Sequence, residues 1–236
     1  KVPFCLFVAS HDGHAPFTTG KAENYPAEKL TVPPYWLDTP ELREVLSLYY
    51  AEVSNFDALV GSIYSYLESK TILDRTLFMV CTEQGIQLPF AKWTCFDNGL
   101  HTGFVARYPS LIKPKSLCHE LIMTTDVTPT LVELAGGKLK PDDCDGKSFL
   151  PLLKGEQKTL QNYVFGAFSN RNIIDNKDRV YPIRSVRTKR YSLIYSPNHK
   201  GISSNTTLTE ALNIIQADEL PTDIKTIAAS WALKRN

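Results

Sequence analysis

No apolar run in the 236 residues approaches the length that spans a bilayer, so no membrane-crossing segment is expected. Neither sign of charge dominates. Lys and Arg number 26, Asp and Glu number 25, and the formal net charge is +1. Such a balance gives no sign of a nucleic-acid partner or a strongly acidic one. The five cysteines (Cys5, Cys81, Cys95, Cys118 and Cys144) are odd in number and contain no C-x-x-C pair. That argues against structural zinc and leaves the redox compartment open. Repeats and low-complexity stretches are absent. The residues given open on Lys1 with neither an initiator Met nor a signal-peptide pattern among them. Lys1-Val2-Pro3 runs straight into the apolar Phe4-Cys5-Leu6-Phe7-Val8-Ala9, so the chain is expected to begin inside a domain, with a preceding segment missing.

What is present is ordinary globular composition, 43% hydrophobic and 22% charged. The length suits one large domain or one and a half. The stretch from Thr76 to His101 organises the rest. Leu77-Phe78-Met79-Val80-Cys81 is short, β-prone and unbroken, the pattern of a buried parallel strand. It ends in Thr82-Glu83-Gln84-Gly85, which places a carboxylate and an amide oxygen at the carboxyl end of a strand. Open α/β sheets bind ligands there. Those oxygens suit a hard cation such as calcium. Lys92, in the aromatic loop that follows, suits an oxyanion. Taken singly, a polar turn and a solvated lysine are the commoner explanations.

Earlier in the chain, residues 4–9 read as a strand followed by Ser10-His11-Asp12-Gly13-His14. Residues 17–38, rich in proline, read as a long surface loop. Thr39 and Pro40 start a helix whose apolar stripe (Leu42, Val45, Leu46, Tyr49, Val53, Phe56 and onward) runs to about Ser69. Strand, helix and strand would form a β-α-β unit with parallel strands, bringing His11, His14, Glu83 and Gln84 to one sheet edge. Cys5 and Cys81 then read as small buried hydrophobes. Residues 102–108 read as a further strand and 130–135 as a short helix that Asp126 could cap. Asp142-Asp143-Cys144-Asp145-Gly146 is an acidic turn. From about residue 160 the texture becomes that of a small antiparallel sheet: 163–168, 180–186 and 191–195. Arg184, Arg187 and Arg190 lie in or near it. Asn205-Thr206-Thr207 is a sequon, and 208–235 reads as two helical pieces broken by Pro221. The expected domains are 1–155 and 156–236. The expected fold class is α/β, a mostly parallel sheet flanked by helices, with a smaller C-terminal antiparallel-sheet subdomain.

Several segments, in this order, resemble type I sulfatases of the alkaline phosphatase superfamily. They are Phe7-Val8-Ala9-Ser10-His11-Asp12-Gly13-His14-Ala15-Pro16, Thr82-Glu83-Gln84-Gly85, Leu88-Pro89-Phe90-Ala91-Lys92-Trp93-Thr94, and Asp126-Val127-Thr128-Pro129-Thr130-Leu131. Asp145-Gly146-Lys147-Ser148-Phe149-Leu150-Pro151-Leu152-Leu153 and Arg184-Ser185-Val186-Arg187-Thr188-Lys189-Arg190-Tyr191 resemble later family segments. The likeness runs from residue 4 to about 195. It implies an incomplete alkaline phosphatase-like fold and hydrolysis of sulfate esters on a sulfated carbohydrate or glycosaminoglycan. It implies catalytic roles for His14 and Lys92, substrate contacts for His11 and His101, and calcium ligation by Glu83 and Gln84. Glu83 stands where Asp is commoner; His101 and Gly103 stand where many relatives have Arg and Pro.

The family's formylglycine arises from a C/S-x-P-S/A-R segment, and no Cys or Ser here has that context. The Asp pair that completes the family's calcium site is likewise expected upstream of Lys1. The N-terminal part of the same enzyme is thus an expected partner, and this chain alone is expected to be inactive. A non-catalytic fragment that binds sulfated glycans or a protein is the alternative. Phosphatase or phosphonate hydrolase activity ranks third, because no cluster of Asp and His for two zinc ions is visible. A secreted, periplasmic or lysosomal location follows only from the family.

Overall fold

The computed structural model describes residues 2–140, 142–169, 173–174, 177–178 and 182–197. The sequon at Asn205 and the helical pieces at 208–235 lie outside the described residues. Contacts divide the chain into two compact units. Lys1–Tyr66 and Ile86–Lys92 belong to the first; Leu67–Gly85 and Trp93–Ser204 belong to the second.

In the first unit, helix α1 spans Pro40–Ser69. Its start is fixed locally. The Thr39 hydroxyl accepts the Leu42 N–H at 3.2 Å, and Pro40 occupies the first helical position, where a missing N–H costs nothing. Val45 and Leu46 turn inward against Phe17 and Leu88, with Leu30, Trp36 and Tyr49 around them. Each large apolar side chain buried this way contributes roughly 1.5–3 kcal/mol. The 17–38 segment contains only two short 3-10 turns, Ala22–Asn24 and Ala27–Lys29. Arg43 on α1 ties this loop down, donating to the carbonyls of Ala27 at 2.9 Å and Leu30 at 2.7 Å. Its pairing with Asp38 also holds the Asp38 carboxyl below its usual range, through the side-chain hydrogen bond first.

The expected strand at 4–9 does not form. Residues 2–9 are exposed, Phe7 at 78%, and among the described residues no strand pairs with them. An apolar run becomes a strand only when a neighbour completes its hydrogen bonds. The parallel β-α-β unit is therefore absent from the described residues. Cys5 and Cys81, expected inside, are exposed, and all five cysteines are free thiols.

In the second unit, α1 closes with paired hydrogen bonds, Ile72 N–H to Leu67 O at 3.1 Å and Thr71 N–H to Glu68 O at 2.8 Å. That closure puts its fifth residue in the left-handed region, and the residue there is Thr71, at φ +55°. A β-branched side chain is strained in this conformation. Thr71→Gly is expected to raise the unfolding free energy by about 1 kcal/mol in a urea melt. An equal or lower value would show that Thr71 carries no strain.

Strand β1, Phe78–Cys81, pairs antiparallel with β2, Phe104–Arg107, placing Phe78 opposite Arg107 and Cys81 opposite Phe104. Between them lies the short helix α2, Asp97–Leu100. Helix α3, Val127–Leu134, begins three residues earlier than the sequence indicated. Asp126 does not cap it. The carboxylate, fully buried, instead accepts the N–H groups of Met123 and Lys147, each at 2.7 Å, and the Gln161 amide at 3.1 Å. Three stretches distant in sequence are knotted at one side chain. A Cβ at Gly146 would stand 2.0 Å from the Thr125 carbonyl oxygen, so only glycine allows this approach. Helix α4, Leu150–Leu153, follows. Strands β3 (Val164–Phe168), β6 (Ile183–Arg187) and β7 (Ser192–Tyr195) form the expected small antiparallel sheet, in the order β3-β6-β7. The two-residue strands β4 (Ile173–Ile174) and β5 (Lys177–Asp178) pair antiparallel with each other, apart from that sheet.

Candidate active site

His14 and Lys92 are 78 positions apart in sequence, yet Lys92 Nζ lies 3.0 Å from His14 Nε2. The imidazole is oriented from its other side. Its Nδ1 is 2.7 Å from the Ala15 carbonyl, which can only accept, so Nδ1 carries the proton. In the neutral ring Nε2 is then an acceptor, and Lys92 donates to it. Lys92 also donates to the Gln87 side-chain oxygen at 3.3 Å. Lys92 and Gln87 are almost fully buried, at 6% and 5% exposure, while His14 reaches the surface.

The loop that carries Lys92 is held in an unusual shape. Its backbone N–H bonds to the Ile86 carbonyl at 3.0 Å, and Trp36 donates to the Pro89 carbonyl at 2.8 Å. Phe90 and Trp93 have φ of +66° and +65°, a region that bulky side chains rarely occupy. Each such residue costs on the order of 1–3 kcal/mol.

The loop that carries His14 is held by Glu52. This α1 residue is 3% exposed. Its carboxylate accepts the N–H groups of Gly13 at 2.9 Å, Thr18 at 2.8 Å and Thr19 at 3.2 Å. Gly13 sits at φ +82°, a conformation that glycine adopts without strain. Glu52 and Gln87 were both missed from sequence. For Glu52 a signal existed, because it shares a helix face with Val45, Tyr49 and Phe56, and a carboxylate on a core stripe needs partners.

Glu83 and Gln84 follow β1 in the second unit, and their loop is clamped at both ends. Thr82 N–H bonds to the Gly103 carbonyl at 3.0 Å, Gly103 N–H to the Thr82 hydroxyl at 2.9 Å, and Gly85 N–H to the Gly99 carbonyl at 3.3 Å. Glu83 is exposed, and the Gln84 amide nitrogen lies 3.4 Å from its carboxylate. That contact leaves the Gln84 side-chain oxygen on the other arm of the amide. A carboxylate and an amide oxygen are the hard donors calcium takes, although they are fewer than its roughly six to eight ligands. Among the described residues no group of three or more His, Cys, Asp or Glu could hold a metal ion. His11 is exposed, and its carbonyl accepts the His14 N–H at 3.0 Å. His101 is exposed at the end of α2, its N–H on the Asp97 carbonyl at 2.7 Å. Cys95 is buried, and burial pushes its thiol up, away from a nucleophile's range.

Comparison with known proteins decides the family. The model of the family described as Sulfatase matches residues 1–137, and that described as N-sulphoglucosamine sulphohydrolase, C-terminal, matches residues 85–208. The chain belongs to the sulfatase family. An ulvan-active sulfatase of Formosa agariphila is 34% identical over 201 residues, covering 84% of this chain and 39% of that relative. The sulfatase chain thus spans well under half the length of that curated relative. Among solved structures, a protein in complex with its substrate D-glucosamine-2-N,6-O-disulfate matches with a TM-score of 0.54 and 22% identity. The match covers 69% of this chain and 33% of that one. A phosphonate monoester hydrolase from Silicibacter pomeroyi matches with a TM-score of 0.52 and 17% identity, covering 100% of this chain and 51% of that one. At these identities the likeness establishes the fold, an α/β sulfatase fold of the alkaline phosphatase type, of which the described residues form an incomplete part. Among the described residues no helix is long and apolar enough to cross a membrane.

Proposed function

We propose that this chain is the sulfate-gripping part of a sulfuric ester hydrolase that acts on a sulfated carbohydrate, glycosaminoglycans included. The pairing of His14 Nε2 with buried Lys92 Nζ carries the reading. A sulfate ester presents three non-bridging oxygens and a poor leaving group. Lys92 donates to a non-bridging oxygen and offsets the negative charge that the sulfate group already carries, so that a nucleophile can approach sulfur while the S–O bond breaks toward the sugar oxygen. His14 lies beside it and, when doubly protonated, donates from Nε2 to the departing sugar oxygen. His11 and His101, each exposed, are proposed as sugar-contacting residues on the family resemblance alone. Water supplies the oxygen and protons that balance the products, an alcohol and inorganic sulfate.

Glu83 and Gln84 are the residues of this chain that would hold calcium. Bound there, the ion would supply positive charge to the sulfate oxygens. The nucleophilic formylglycine and the remaining calcium ligands come, on this reading, from polypeptide outside this chain, the N-terminal part of the same enzyme. The names of the relatives, among them an ulvan-active sulfatase, support a sulfated polysaccharide or its fragments as substrate.

The test is ion chromatography of sulfate released by the intact gene product from sulfated glucosamines and from ulvan. Release that depends on added calcium is expected. No release from any sulfated sugar would remove the hydrolase reading in favour of glycan binding alone. Glu83→Ala is expected to weaken calcium binding at least tenfold, roughly what supporting residues around a metal contribute and less than a lost ligand costs. Isothermal titration with calcium reads this directly. An unchanged affinity would take Glu83 out of the metal site.

A further inference from the structure

We infer that Glu52 is a positioning residue of this site, holding the His14 loop in the shape that presents Nε2 to Lys92. The inference rests on the sulfatase reading for its consequence in catalysis, but not for its geometry. The carboxylate is 3% exposed, in the middle of α1, on the face that also carries Val45 and Tyr49. A buried carboxylate is costly unless its oxygens are satisfied, and here the loop satisfies them. Oε2 takes the Gly13 N–H at 2.9 Å; Oε1 takes the Thr18 and Thr19 N–H groups at 2.8 and 3.2 Å and the Thr19 hydroxyl at 3.3 Å. These anchors bracket His14, one residue before it and four and five after. Asn55, one turn further along α1, props the same Thr19 hydroxyl at 3.0 Å.

The arrangement is directional. The anchors fix the backbone, the Ala15 carbonyl fixes Nδ1, and Nε2 is thereby aimed at Lys92. Hydrogen bonds from backbone N–H to a carboxylate are charge-assisted and stronger than neutral ones. Glutamine in place of Glu52 keeps the size but turns one acceptor into a donor. It must then face at least one loop N–H with an NH₂ group. The loop is released while the core around Val45, Leu46 and Phe17 stays intact.

The experiment compares wild type, Glu52→Gln and Glu52→Asp by two readouts. The first is proximity of the His14 ring to Lys92 Nζ, followed by NMR in the intact gene product labelled at histidine and lysine. The second is kcat and KM of the intact gene product on a sulfated sugar. Glu52→Gln is expected to keep its helical circular dichroism, to lose the His14–Lys92 proximity signal, and to lower kcat about 10–100-fold with KM changed less than about threefold. Glu52→Asp, which keeps the charge with a shorter reach, is expected to fall between. A folded Glu52→Gln with the proximity signal and kcat of wild type would overturn the inference. Should Glu52→Gln fail to fold, Glu52→Asp is judged by the same two readouts. If the wild type releases no sulfate, the hydrolase reading fails, and the NMR comparison still decides the role of Glu52.

Discussion

Lys92→Met in the intact gene product is expected to abolish measurable sulfate release, lowering kcat by about 10²–10³ or more, the loss typical of one donor removed from a developing anion. Methionine keeps the length and the apolar stem, so this almost fully buried position stays filled. A melting curve close to that of wild type therefore accompanies the loss. The size of the effect follows from burial. Lys92 is 6% exposed, and a charge interaction made by a buried ammonium is worth more than one at the surface. His14 loses the donor on its Nε2 in the same substitution, so the two halves of the pair fail together. Activity within about threefold of wild type, with an unchanged melt, would remove Lys92 from the chemistry.

Asp126→Ala is expected to be the most damaging single change to the fold, costing about 3–5 kcal/mol. Nothing of Asp126 is exposed, and its carboxylate is the acceptor for Met123 N–H, Lys147 N–H and the Gln161 amide. Truncation leaves three donors in a place water does not reach, each costing about 1–3 kcal/mol before relaxation. The loss spreads through Thr130, whose hydroxyl donates to the Asp126 carbonyl at 2.7 Å and accepts the Phe149 N–H at 2.9 Å. For a chain of this size the melting temperature is expected to fall by roughly 10 °C. A drop of less than about 1 kcal/mol would show that the knot is redundant. Asp126→Asn keeps one acceptor and is expected to lose less.

These two residues show which features could be read from the sequence. Helix α1 was readable because its signals are local: Thr39 and Pro40 at the start, and an apolar period that runs to Ser69. The small antiparallel sheet was readable for the same reason, as short β-prone runs between polar turns. Residues 4–9 were misread as a strand because a ladder needs a second chain segment, and no local pattern reports whether one is there. Asp126 was read as a helix cap, its commonest role at that position; its actual partners at 147 and 161 are joined by folding, not by spacing. His14 and Lys92 were singled out from motif order, whereas Glu52 and Gln87, which hold them, were not. A buried polar residue earns its place through contacts made across the fold, and composition along one helix face hints at this only when a charge interrupts an apolar stripe.

The most direct test of the site is a titration of the intact gene product with inorganic sulfate, following the His14 ring nitrogens and Lys92 Nζ by NMR. If this pair grips the sulfate group, both signals shift together along one saturable curve, and Lys92→Met removes the response at His14. Signals that stay in place, or that drift linearly with ionic strength in wild type and Lys92→Met alike, would mean that His14 and Lys92 form a structural hydrogen bond and that the sulfate site lies elsewhere.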